Sequence, residues 1–267
     1  METVTSRDGT TIAVERAGEG PAVILVGGGL DDGSENAPLV PALARSFTVF
    51  NYARRGRALS TDAAPPPWRG PVLGRDAVAR ELGDLAAVIT AAGGTAHLFG
   101  ASSGGALALE AAAAGLPVGR LAVYEVPYLV DPAIVAAFAE YRVELHRLLG
   151  AGQRGAAVEL FMRLAGAAEE DVAGARSAPV WAGLEALAPS LAYDAACLGD
   201  GRPPAARLAT ITEPLLVLTG DAGGLFEPAA EAITAAVPAA RRHVLAGQGH
   251  VADPAVLAPV LTDFYSG

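Results

Sequence analysis

The sequence offers one pattern built for nucleophilic chemistry: Gly100-Ala101-Ser102-Ser103-Gly104. A serine bracketed by glycines at this spacing can occupy a sharp strand-to-helix turn, exposed and strained, where a base can take its proton. Composition alone yields such a match in roughly one chain in eight of this make-up, so the flanks decide. Apolar Leu98-Phe99 lies before the turn and the helix-forming run Ala106-Leu107-Ala108-Leu109-Glu110 lies after it. Four histidines could serve as base. His97 precedes the turn in a strand and reads as structural, His146 falls in a helical run, and His243 lies within a late strand. His250 closes a loop, Gly247-Gln248-Gly249-His250. Among the acids, Glu125 ends the apolar run Val123-Tyr124, where an unpaired carboxylate is costly to bury and calls for a partner such as His250. A second glycine cluster, Gly27-Gly28-Gly29, fails as a dinucleotide fingerprint. The glycine needed five residues on is Asp32, and Asp31 and Asp32 would repel a pyrophosphate.

These residues need a scaffold, and hydrophobic periodicity supplies one. Thr3–Ser6, the Asp8-Gly9 turn and Thr11–Arg16 read as a hairpin. Ala22–Val26 fits a buried parallel strand, followed by a short helix carrying Leu39 and Leu43, then a strand over 47–52. The prolines at 65–67 and 71 mark residues 61–71 as a loop. A helix over 76–92 places Val78, Leu82, Leu85 and Ile89 on one face and stops at Gly93-Gly94. Strands follow at 96–100 and 121–125, with an Ala-rich helix over 104–114 between them. From 128 to 206 strand alternation vanishes and helical faces take over. Strand and helix signals then return at 214–220, 229–237, 242–246 and 254–265. Strands alternating with helices predict an α/β fold, a mostly parallel central sheet with helices on both faces. The expected organisation is a core of residues 1–127 and 207–267, with a helical block at 128–206.

With these motifs in this order, the chain resembles the α/β-hydrolase superfamily over essentially its whole length, with a helical cap inserted after the sixth strand. The resemblance implies that Ser102 is the nucleophile and His250 the general base. It also implies an oxyanion hole of backbone amides from Gly29 or Leu30 together with Ser103. The His-Gly-x segment usual in that loop has Gly27 in place of histidine, a change that leaves backbone donors intact. The acid of the triad is open. Its usual slot, three residues after Gly220, is Gly223, which carries no carboxylate. Glu125 is favoured, because some branches of the family, including haloalkane dehalogenases, draw their acid from this strand end. Asp221 is the alternative, and a chain with no working acid is the third reading. Tyr52-Ala53-Arg54-Arg55-Gly56-Arg57 resembles the family's Asp-x-Arg-Gly-x-Gly-x-Ser segment and is expected to brace the loop beside the turn, with direct substrate contact by Arg54 or Arg55 the minor reading. Phe138, Tyr141, Phe161, Met162 and Trp181 are expected mostly in the cap's own core.

Composition narrows the chemistry further. The 267 residues are 52% hydrophobic and 18% charged, which excludes disorder. The longest stretch without Asp, Glu, Arg or Lys, 85–109, is too rich in glycine, serine and histidine for a spanning helix. No secretory leader is visible at the start, and the single Cys197 can form no internal disulfide, so a cytoplasmic location is expected. A formal charge of -10 opposes nucleic acid as a partner. Every one of the 19 bases is arginine, which removes Schiff-base chemistry and a standard P-loop. The sequence therefore predicts a serine hydrolase acting on a small, mostly apolar ester, lactone or thioester, with no cofactor, no metal and no membrane partner. Homo-oligomerisation is left open. The alternatives are another activity of the same scaffold (a carbon–carbon hydrolase, a cofactor-free haloperoxidase or a lyase) or a non-catalytic ligand-binding relative. An Asp-nucleophile epoxide hydrolase or dehalogenase is disfavoured by Ser102.

Overall fold

The computed structural model describes residues 1–70, 74–222, 224 and 226–267. Their strands form one eight-stranded sheet in the order β1-β2-β4-β3-β5-β6-β7-β8. The hairpin strands β1 (Glu2–Thr5) and β2 (Thr11–Ala17) pair antiparallel, and β2 runs antiparallel to β4 (Thr48–Tyr52). The remaining pairs are parallel: β3 (Ala22–Val26) with β4 and β5 (Ala96–Ala101), then β6 (Val118–Tyr124), β7 (Leu215–Gly220) and β8 (Ala240–Leu245). Parallel strands need crossover helices, which cover both faces and leave the strands apolar on each side.

The period-two alternation of β3 shows this directly. Ile24 and Val26 face one cluster, packed with Leu85, Val88 and Leu107, and Val23 and Leu25 face the other, packed with Leu43, Leu257 and Leu261. The first layer comes from α2 (Arg75–Ala91) and α3 (Ser103–Ala113), the second from α1 (Val40–Leu43) and, near the end of the chain, a long helix over 254–266. In α2 the expected apolar stripe faces the core, with Leu85 and Ile89 buried and Val78 and Leu82 partly covered against the same cluster, and the buried face also holds Ala77, Glu81, Asp84 and Val88. Two acids therefore sit where a simple amphipathic helix would place hydrocarbon. The proline-rich loop contains a 3-10 turn at Pro67–Arg69, and its last residue, Pro71, lies outside the described residues.

Between β6 and β7 the chain is helical: α4 (Pro132–Gly150), α5 (Arg154–Leu164), α6 (Glu169–Ser177), α7 (Trp181–Leu187), α8 (Leu191–Cys197) and α9 (Ala205–Leu208). Asp131 caps α4 by accepting the Ala133 N–H, with proline at the first position, a start that satisfies an orphan amide. These helices enclose an apolar cluster of their own, with Phe138 stacked on Tyr141 at 5.8 Å, and Leu30 of the β3 loop packs against it. The chain closes with α10 (Glu227–Ala236) and α11 (Pro254–Ser266). Among the described residues no helix is long and apolar enough to cross a membrane.

Candidate active site

Among the described residues four non-glycine residues adopt positive φ, three of them (Leu30, Ser102 and Glu125) just beyond the C-terminal ends of the neighbouring strands β3, β5 and β6. Such strain costs on the order of 1–3 kcal/mol each and persists only where the surroundings enforce it. Ser102 (φ 53°, ψ −127°) sits between β5 and α3. Its N–H donates to Tyr124 O at 2.9 Å, and its carbonyl accepts from Gly105 N. The flanking glycines make the turn feasible. A Cβ on Gly100 would stand 2.5 Å from Gly104 O, and one on Gly104 would stand 2.3 Å from Val26 O. Any side chain at either site would drive helix and sheet apart.

One strand over, Glu125 follows β6 and is 5% exposed. Its two oxygens are occupied: His250 Nδ1 donates to Oε2 at 2.7 Å and the Gly220 N–H donates to Oε1 at 2.9 Å. The bonding of Nδ1 to a carboxylate fixes the tautomer and leaves Nε2 as the proton-accepting nitrogen. The imidazole is about half exposed and stacks on Phe226 with ring centroids 4.8 Å apart. Asp221 does not reach His250's ring in this way; its Oδ1 accepts the Gly247 N–H at 2.7 Å and so pins the loop that carries the histidine. Gly223, the family's usual acid slot, lies outside the described residues.

Tyr124 adds a third tie by donating from its hydroxyl to Gly249 O, and Ala222 N–H donates to Gln248 O. Burial, reinforced by the Glu125 and Asp221 carboxylates, pushes the Tyr124 phenol upward, so it remains a donor at neutral pH. His97 packs instead behind the turn, stacked on Tyr265 at 5.0 Å and edge-on to Phe47, where burial favours its neutral form. His146 lies on α4 and His243 is exposed on β8.

On the other side of Ser102, Gly28 lies against it: a Cβ there would be 3.0 Å from Ser102 Cβ. The absent histidine at position 27 has a local explanation. A Cβ on Gly27 would fall 1.9 Å from Asp31 Oδ2, so the Asp31 carboxylate fills the space a histidine would need. Asp31 Oδ1 accepts the N–H groups of Gly33 and Glu35 and holds the loop.

Beneath this loop lies a buried ionic cluster only partly foreseen from sequence. Arg54 forms a bidentate pair with Glu81 at 2.6 and 2.7 Å, and its Nη1 donates to Asp194 Oδ1 at 2.6 Å and to Gly27 O at 3.1 Å. Arg57 donates to Gly28 O and Asp31 O and pairs with Asp194 at 2.7 Å. Arg55 grips Asp84 bidentately and reaches Asp8 and Asp62. Burial alone would favour a neutral Arg54, but the carboxylates of Glu81 and Asp194 outweigh it and hold the guanidinium charged. Burial pushes the nearby Cys197 thiol well up, so it offers no thiolate. Arg57 belongs to the segment expected to brace this loop, but Glu81 and Asp194 were not singled out from sequence. Their readable signal was a charged residue inside an apolar helical face, as in Leu-Ala-Tyr-Asp-Ala-Ala-Cys.

Of the five aromatic and Met residues weighed in the helical block, Phe161 approaches the site. A Cβ on Gly29 would stand 3.1 Å from its ring. Phe138 and Tyr141 are buried in the block's own core, with Met162 and Trp181 packed partly against it.

A family model described as alpha/beta hydrolase family matches residues 22–260. The chain belongs to this family. The crystal structure of an alpha/beta hydrolase from Sphaerobacter thermophilus is 44% identical, with 99% of this chain and 100% of that one covered and a TM-score of 0.86. An enol-lactonase from Burkholderia xenovorans is similar in fold at 21% identity, 100% coverage of both chains and a TM-score of 0.69. So is an esterase from a Rhodococcus species, at 21% identity, 100% and 98% coverage and a TM-score of 0.65. No curated protein matches the chain. The order of strands places Ser102, Glu125 and the His250 loop at the C-terminal ends of the parallel strands β5, β6 and β8. Glu125 meets His250 there, and among the described residues no hydrogen bond joins Ser102 Oγ to His250.

Proposed function

We propose that this alpha/beta hydrolase is a serine hydrolase with the triad Ser102, His250 and Glu125. The observation that carries the reading is the Glu125–His250 hydrogen bond, formed by a buried carboxylate one strand from a strained serine. His250 Nε2 takes the Ser102 Oγ proton as the oxygen attacks an acyl carbonyl. Glu125 orients the ring and stabilises the imidazolium that results. The carbonyl oxygen, now an oxyanion, receives hydrogen bonds from backbone amides of the β3 loop (Gly29 or Leu30) and of Ser103. Collapse of this adduct expels the leaving alcohol or thiol, which takes the proton from His250, and leaves an acyl-serine. Water, deprotonated by His250, then repeats the sequence and releases the acid.

The helical block, residues 128–206, is the cap. Phe161 over Gly29 and Phe226 beside His250 give the reacting centre apolar walls, which supports small, mostly apolar esters, lactones or thioesters as substrates. The test combines a fluorophosphonate probe with a panel of p-nitrophenyl esters. Stoichiometric labelling at Ser102, lost in His250→Ala, is expected together with ester turnover. A wild-type protein that takes up no label is a binding relative rather than a hydrolase.

A further inference from the structure

One carboxylate oxygen of the helical block holds both sources of the oxyanion-binding amides. Asp194 Oδ1 accepts from Arg54 Nη1 at 2.6 Å, from Arg57 Nη2 at 2.7 Å and from Ser103 Oγ at 2.8 Å. Arg57 in turn donates through Nη1 to Gly28 O, and Arg54 donates to Gly27 O. A trans peptide is planar, with C=O and N–H pointing in opposite directions. Gripping the Gly28 carbonyl from below therefore aims the Gly29 N–H the other way, and a guanidinium on that carbonyl also polarises the amide into a stronger donor. The second donor residue, Ser103, is tied through its own hydroxyl. Among the described residues Asp194 is the carboxylate paired with Arg57, whereas Arg54 also has Glu81. The side chain is 6% exposed on a helix whose other residues are buried, and its Oδ2 lies 3.8 Å from where a Cβ of Gly29 would be.

We propose that Asp194 is a positioning residue of the reaction: it docks the helical block onto Arg54, Arg57 and Ser103 and thereby sets the two backbone amides that receive the oxyanion. The proposal rests on the serine-hydrolase reading, because it assigns a role to a hole that only acyl transfer uses. It also has a sign that separates it from a simple field effect. Removing a negative charge beside a developing oxyanion would by Coulomb's law speed the reaction, whereas losing the anchor slows it.

The experiment compares wild type, Asp194→Asn and Ser103→Ala. Removing an oxyanion donor outright costs about 100–1,000-fold in kcat. Loosening the donors is expected to cost about 10-fold or more in Asp194→Asn, with KM within about two-fold. Ser103→Ala keeps every charge and its backbone amide, so it should fold and lose several-fold in kcat; it carries the test alone if Asp194→Asn does not fold. A carbonyl-¹³C-labelled trifluoromethyl ketone, bound covalently at Ser102, supplies a signal that a purely structural role would not move. Its hemiketal oxyanion should titrate about one pH unit higher in Asp194→Asn than in wild type, the counterpart of a ten-fold loss. Turnover at or above the wild-type level in both variants overturns the proposal, as does an unchanged hemiketal titration. A wild-type protein that forms no adduct at Ser102 overturns the serine-hydrolase reading itself, an outcome distinct from either.

Discussion

The two sides of Ser102 are held by different physics. On the β3–β4 side, Arg54, Arg55 and Arg57 are each no more than 2% exposed and are neutralised by Glu81, Asp84 and Asp194. On the β7–β8 side, the His250 loop is fixed by Tyr124 on Gly249, Asp221 on Gly247, Ala222 on Gln248 and the Phe226 stack, with the imidazole about half exposed. In the proposed reaction the amides that receive the oxyanion must not move, since their value lies in being preorganised. A buried charge cluster suits that need, because it tolerates few alternative geometries. As the proposed base, His250 would gain and lose a proton, and a partly solvated ring with one buried anchor suits that role better.

This contrast predicts that breaking the histidine side damages catalysis and spares stability, whereas breaking the arginine side damages stability first. The largest effect belongs to the proposed nucleophile: Ser102→Ala should lower kcat by about a million-fold, measured as ester turnover in a protein of unchanged melting temperature. Next comes Glu125→Gln, which keeps the shape and permits the wrong tautomer. A loss of about 10⁴-fold in kcat is expected, and a variant with intact turnover, paired with an inactive Asp221→Asn, would move the acid to Asp221. On the opposite side, Glu81→Ala leaves Arg54 with one buried partner fewer. Destabilisation by about 3–5 kcal/mol is expected, read by chemical denaturation. A loss below about 1 kcal/mol would show that the cluster relaxes and that the two sides are alike. Smallest is Phe226→Ala, which removes the stacked neighbour of His250: a loss of a few-fold in kcat/KM is expected, with stability changed by about 1 kcal/mol or less.

How much was legible depended on the range of the interaction. The glycines at 100 and 104 announced a strand-to-helix turn because the constraint is local: each must pass within van der Waals distance of backbone a few residues or one strand away. Period-two and period-3.6 patterns located the strands and helices to within a few residues, since each buries its own apolar side. The α2 stripe was legible, but the inward-facing Glu81 and Asp84 beside it were not, because a hydrophobic pattern cannot anticipate a carboxylate whose partner lies 27 or 29 residues earlier. Gly27 read as a missing histidine, whereas the folded loop puts Asp31 in that space.

The sequence by itself determined the order of elements, the glycine-bracketed serine turn, the loop histidine and the two acids worth weighing, because each is written in neighbouring residues. Only the tertiary structure decided which carboxylate meets His250, since Glu125 and His250 are 125 residues apart and meet through the pairing of parallel strands. It alone also brought Asp194 to Arg57 across 137 residues. Contacts of that range are set by sheet order and by the docking of the helical block, where burial of opposite charges together is far cheaper than burial of either one alone.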